Sequence, residues 1–178
     1  MNVVTSRLRV RRFAEADLQD FLAYQGLPGV RRFMRGEAMG REEAVRYLAG
    51  QAALAEDARG KWHGFAVEHL AQGRVIGDVG VFLQVDPPDE GDVGFQFHPD
   101  CHGKGYAAEA TQVLLRHLFT ELDLRRVTAS CDEENVASFR LMERLGMRRV
   151  AQAEHESGHV YSLDREEWLV RQSLRLEA

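Results

Sequence analysis

Between Gly91 and Ala110 an apolar run, Val93, Phe95 and Phe97, passes through His98-Pro99-Asp100-Cys101 into His102-Gly103-Lys104-Gly105-Tyr106-Ala107-Ala108 and on into an amphipathic stretch. Alternating apolar residues specify a strand, and Ala110, Leu114, Leu118 and Leu122 beyond the turn specify a helix face. The glycine-spaced turn therefore stands at a helix N-terminus, where backbone N–H groups are unpaired and the macrodipole is positive. Glycines let a bulky anion approach that backbone closely, so the turn expects phosphate or pyrophosphate.

Three kinds of phosphate loop compete for this segment. A P-loop needs Gly, four residues, then Gly-Lys and Ser or Thr; here Gly103-Lys104 is followed by Gly105, and His98 stands five positions before Gly103. The P-loop reading fails. Gly103-x-Gly105-x-x-Ala108 does fit a dinucleotide fingerprint, with Asp132 roughly where a ribose-binding acid can sit. Too little sequence follows it to build the remaining parallel strands of such a domain.

The third reading uses more residues at once. His102 to Ala107 resembles the acyl-CoA pyrophosphate loop of the GNAT superfamily of N-acetyltransferases, Q/R-x-x-G-x-G/A, matching at Gly105 and Ala107 and departing at His102. Downstream, Asn135-Val136-Ala137-Ser138 and Leu145-Gly146-Met147 are similar to the Asn-x-x-Ser and Leu-Gly-Phe elements of that superfamily's second motif. The likeness narrows toward the subgroup containing the N-terminal acetyltransferases of ribosomal proteins, through Thr5 to Arg11, Gly105 to Ala110, and the closing Tyr161 to Trp168. It says little about the acceptor, because that subgroup also includes enzymes acting on small amines.

The resemblance implies an α/β (α+β) GNAT fold: a central mixed, mostly antiparallel sheet of about seven strands flanked by helices, with a splayed strand pair forming the acyl-CoA slot. It implies acetyl-CoA as cosubstrate, a primary amine (a protein N-terminal α-amine or a small-molecule amine) as acceptor, direct transfer and no metal. Phe95, Phe97 and His98 would meet pantetheine through backbone groups and polarise the acetyl oxygen. His102, Gly103, Lys104, Gly105, Tyr106, Ala107 and Ala108 would hold the phosphates, and Asn135 with Ser138 would flank the thioester end. Gly94 marks a candidate bulge that opens the slot.

The tyrosine that commonly serves as acid in this superfamily falls at Met142, which cannot give a proton. Ser138 becomes the candidate for contacting the leaving sulfur, against the alternative that its hydroxyl merely bonds backbone in its helix. For the base, Asp92 and His98 lie on the candidate strand, and Glu133 and His159 are further candidates. An α-amine with a pKa near 8 can also react without one. The missing tyrosine leaves a second reading open, a catalytically weak acyl-CoA-binding regulatory module.

Composition agrees. The 178 residues suit one domain, 1–178, and a formal charge of −5 argues against a nucleic-acid binder that relies on phosphate neutralisation. Cys101 and Cys131 form neither metal-like spacing nor a disulfide framework, which points to a reducing cytosol. No apolar stretch is long enough to span a bilayer, and no signal-peptide core follows Met1-Asn2, so a cytoplasmic monomer or homodimer with no membrane partner is expected. Arg31, Arg32 and Arg35 form a basic cluster that can meet a CoA phosphate or be simply solvated. Asp86, Asp89, Glu90 and Asp92 put four acids into seven residues, enough to steer a cationic acceptor if the hairpin stands at the mouth of the site.

Overall fold

The computed structural model describes residues 1–34, 36–150 and 158–176. In chain order the elements are β1 (Asn2–Val4), β2 (Leu8–Arg12), α1 (Leu18–Gln25), α2 (Pro28–Arg31), α3 (Arg41–Ala53), β3 (Lys61–His69), β4 (Arg74–Leu83) and β5 (Glu90–Phe97). Then come α4 (Tyr106–Thr120), β6 (Arg126–Cys131), α5 (Val136–Leu145), β7 (Arg148–Val150), β8 (His159–Asp164) and α6 (Arg165–Leu176). Among the described residues the strands form one sheet of eight, ordered β1-β2-β3-β4-β5-β6-β8-β7. The eighth strand is the short β1, whose three residues carry too little pattern to be read from sequence.

Period-two alternation sends apolar side chains to both faces of the sheet. On one face Val79, Val81, Val93 and Phe97 pack against Leu114 and Leu118 of α4 and Leu141 and Met142 of α5. On the other, Phe13, Ala66 and Val75 meet Phe21 and Tyr24 of α1 and Ala44 and Leu48 of α3. Here Phe21 stacks on Tyr47 with ring centres 5.4 Å apart and meets Phe13 edge-on at 5.7 Å. The faces exchange one residue at a register shift in the β3–β4 ladder beside Val67 and Glu68, which leaves Ile76 in the first core and Val75 in the second.

All neighbouring strands are antiparallel except β5 and β6, which run parallel. Their pairing covers Glu90–Arg126, Gly91–Val127 and Asp92–Thr128 and then stops. Beyond it β5 stays on β4 as far as Phe97, while β6 stays on β8 as far as Cys131. The two strands diverge, and the wedge between them opens in the middle of the sheet.

Candidate active site

The wedge leads to the glycine turn. Gly103 and Gly105 have φ of +73° and +82°, a left-handed region in which a side chain is strained, and Gly105 sits at the N-cap of α4. The first intrahelical bond of α4 runs from Glu109 N–H to Gly105 C=O at 3.0 Å. Among the described residues none accepts from the backbone N–H groups of Gly103 through Ala108. A run of unpaired donors at a helix N-terminus fits a pyrophosphate.

Arg7 holds this turn in place from β2's approach. Its guanidinium donates to Lys104 C=O at 2.9 Å, forms a forked ion pair with Glu109, and lies over the Tyr106 ring at 4.6 Å from its centre. Tyr106 also shares a 2.9 Å hydrogen bond with His69 Nε2, so its ring is a packing element beneath the turn. Arg7 contributes through position far away in sequence, and only its place in the family-like opening segment hinted at it.

The β5 wall follows from ladder alternation. Gln84 N–H bonds Glu90 C=O and His98 N–H bonds Ile76 C=O, so even-numbered β5 residues spend their backbone groups on β4. Odd-numbered residues face β6: Val93 N–H closes the last rung of the pairing, onto Thr128, and Phe95 and Phe97 direct theirs into the wedge, where Phe97 C=O already meets His102 Nε2 at 3.0 Å. This corrects the expectation for His98, whose N–H is used by the sheet. It also corrects the expectation of a bulge at Gly94, which pairs in unbroken register with Gly80. The opening comes from β6 diverging; Gly80 and Gly94 serve another purpose, since a Cβ on either would lie 2.4 or 3.0 Å from the Trp62 indole.

The opposite wall is the start of α5. Asn135 Oδ1 accepts from Ser138 N–H at 3.2 Å, a helix cap. The Ser138 hydroxyl lines the cleft and makes no hydrogen bond among the described residues. Met142, at 1% exposure, forms part of the cleft floor and of the core.

One cleft of about 870 Å³ joins these walls to α1, α2 and α3. Phe95, Phe97, His102, Gly103, Gly105, Tyr106, Ala107, Ala108, Asn135 and Ser138 line it. Lys104, Asp92 and His98 do not. Asp92 accepts from Thr128 Oγ1 at 2.9 Å, holding the strands together where they still pair, and His98 Nδ1 caps its own turn by accepting from Asp100 N–H at 3.2 Å. Glu133 and His159 also lie outside the lining; the His159 ring packs edge-on against Phe139 at 5.9 Å. The acidic hairpin is partly neutralised, because Arg125 pairs with both Asp89 and Glu90, and none of its acids reaches the cleft. Cys101 borders the cleft with its thiol pushed up by burial, the wrong direction for a nucleophile. Of the basic cluster, Arg31 lines the cleft and Arg32 pairs with Glu134 at 2.8 Å, while Arg35 lies outside the described residues.

Sequence reasoning missed Asp78. This β4 residue is 3% exposed yet borders the cleft. Tyr24 Oη donates to its Oδ2 at 2.6 Å and Gln96 Nε2 to the same oxygen at 2.8 Å. Oδ1 has no hydrogen-bond partner among the described residues. Desolvation pushes the carboxyl up to about 6, against the opposing pull of the two hydrogen bonds. Asp78 thus remains mostly ionised at neutral pH. A single aspartate flanked by Gly77 and Val79 gives no sequence signal; only the sheet register brings Tyr24 and Gln96 to it.

Residues 7–148 match the model of the acetyltransferase (GNAT) domain. The chain belongs to the GNAT acetyltransferase family. The uncharacterized N-acetyltransferase YnaD of Bacillus subtilis (strain 168) is 31% identical over 150 residues, 84% of each chain. A GNAT-family acetyltransferase from Bacillus anthracis superposes with a TM-score of 0.78 at 25% identity, covering 94% of this chain and all of that one. The ribosomal-protein-S5-alanine acetyltransferase from Vibrio fischeri shares the fold, with a TM-score of 0.79 at 18% identity over 94% of this chain and 98% of its own. As a member of this family the protein is an acetyl-CoA-dependent N-acetyltransferase, and Gly103, Gly105, Asn135 and Ser138 stand at its cleft. Among the described residues no cluster of three His, Cys, Asp or Glu side chains is arranged for a metal, and no helix is long and apolar enough to cross a membrane.

Proposed function

We propose that the acetyltransferase transfers the acetyl group of acetyl-CoA directly to a primary amine, with the cofactor's phosphates on the turn 103–108 and its pantetheine arm along β5. The observation that carries this reading is the continuity of one cleft from six backbone N–H groups without a partner among the described residues to the buried carboxylate of Asp78. Acetyl-CoA supplies an activated thioester; the chain supplies donors, acceptors and position. The free β5 edge beyond Val93 offers the Phe95 N–H where negative charge develops on the acetyl oxygen.

Asp78 takes the role for which Asp92 and His98 are badly placed. As a buried carboxylate it binds the incoming ammonium, then accepts one proton as the neutral amine attacks the thioester carbon. The C–S bond breaks as the C–N bond is completed, the second N–H proton of the attacking amine passes to the leaving thiolate, and the Ser138 hydroxyl hydrogen-bonds that sulfur. Proximity in a closed cleft accounts for the remainder.

Two assays test this together: calorimetric titration with CoA, and free-thiol release from acetyl-CoA in the presence of an amine panel, with acetylated amine detected by mass spectrometry. CoA binding with amine-dependent thiol release and amide formation is expected. Thiol release with no acetylated amine, or an acetyl-enzyme isolated as an intermediate, would contradict direct transfer.

A further inference from the structure

The acceptor end of the cleft is chemically one-sided. Phe21, Phe33, Met34, Met39, Tyr47 and Trp62 make its wall. Beside it Gln25 is spent on Met39, donating to its C=O at 2.9 Å and accepting from its N–H at 3.0 Å, while Gln96 Oε1 is buried with no hydrogen-bond partner among the described residues. Glu37 and Glu43 also border the cleft but are exposed, which leaves Asp78 as the buried charge, with Oδ1 unpartnered among the described residues.

We propose that the acceptor is a primary monoamine with an aromatic or compact apolar body, its ammonium on Asp78 Oδ1 and its body against Trp62, Tyr47, Phe33 and the two methionines. The proposal rests on the acetyl-transfer reading above and names the substrate class of that site. A buried carboxylate wants one cation, and an apolar body gains ring and thioether contacts along the wall. A polyamine would leave the apolar wall unused and hold its second ammonium only against the exposed Glu37 or Glu43, and a peptide N-terminus would lay its amide along that wall with Gln96 Oε1 as the one buried acceptor open to it among the described residues.

Phe33 is the residue with which to probe this, because it is half-buried and its ring is held under the Arg32 guanidinium at 4.9 Å, itself paired to Glu134. The experiment measures kcat/KM at fixed acetyl-CoA for phenethylamine and tryptamine against spermidine and short peptides beginning with Ala or Ser. Wild type and Phe33→Ala are compared, with CoA affinity followed by calorimetry. Aromatic amines should lead by tenfold or more, in the range of about 10- to 200-fold expected for pocket contacts. Phe33→Ala should raise the phenethylamine KM about tenfold by the same scale of lost contact, with CoA affinity unchanged. Equal or better use of spermidine or peptides would overturn the substrate class while leaving acetyl transfer standing. CoA binding without acetylation of any amine would remove the proposed function, and this inference with it.

Discussion

Tyr24 on α1 donates its hydroxyl to Asp78 on β4 over 2.6 Å, 54 residues away in sequence and with both side chains buried. The bond stabilises the ionised carboxylate, while burial opposes it and leaves the group pushed up to about 6. If Asp78 binds and deprotonates the amine, kcat/KM falls as pH drops through that value. Removing the donor in Tyr24→Phe weakens the ionised form, so the acidic limb of the profile should move upward by about one pH unit, the scale of a hydrogen bond to a charged group. A pH–rate profile checks this; an unshifted limb would place the essential base elsewhere.

The same carboxylate should make the protein less stable than it need be. The folded-state value is raised above the ordinary 3.8, so the folded chain binds more protons than the unfolded chain between the two values. Stability from this group is therefore greatest below about pH 4 and declines as pH rises through 6. The loss is at most about 3 kcal/mol at neutral pH, from 1.36 kcal/mol per unit. Asp78→Asn should raise Tm at pH 7, with the gain fading toward pH 4, while lowering turnover by about 100-fold or more. Thermal unfolding at both pH values decides; a variant equally destabilised at both would mean that Asp78 is structural.

Ser138 donates its backbone N–H to Asn135, leaving the hydroxyl over the cleft. Ser138→Ala should lower kcat by roughly 10- to 1000-fold with little change in the acetyl-CoA KM, because a bond to the leaving sulfur matters chiefly in the transition state. The helix cap survives, since Asn135 supplies it. Steady-state kinetics with normal kcat would remove Ser138 from the chemistry.

The glycine turn and the capped start of α5, which line one cleft, were legible because their signals are local: Gly103 and Gly105 sit two residues apart, and Asn135 precedes Ser138 by three. The sheet and the divergence of its two parallel strands followed from the family resemblance, but the point at which β6 leaves β5, after Thr128, did not. The Asp78 end of the cleft was illegible because its groups meet only through register. Asp78 comes opposite Gln96 across the β4–β5 ladder, and Tyr24 reaches it from another element. Asp92 and His98 drew notice as charged residues on the right strand, yet Thr128 Oγ1 and Asp100 N–H occupy them. The acid run 86–92 was conspicuous by composition, and Arg125, which pairs two of its members, lies more than thirty residues on.

The central claim is that the backbone of Gly103 through Ala108 binds the CoA phosphates, with Arg7 fixing the turn through Lys104 C=O. Amide chemical shifts of the labelled protein, followed while CoA is titrated in, test it directly. The account predicts that the largest shifts fall on the amides of residues 103–108, and that Arg7→Ala weakens binding by about tenfold, the order of a lost charge-assisted contact. Saturable CoA binding that leaves those six amides unmoved, with the shifts concentrated elsewhere, would contradict it.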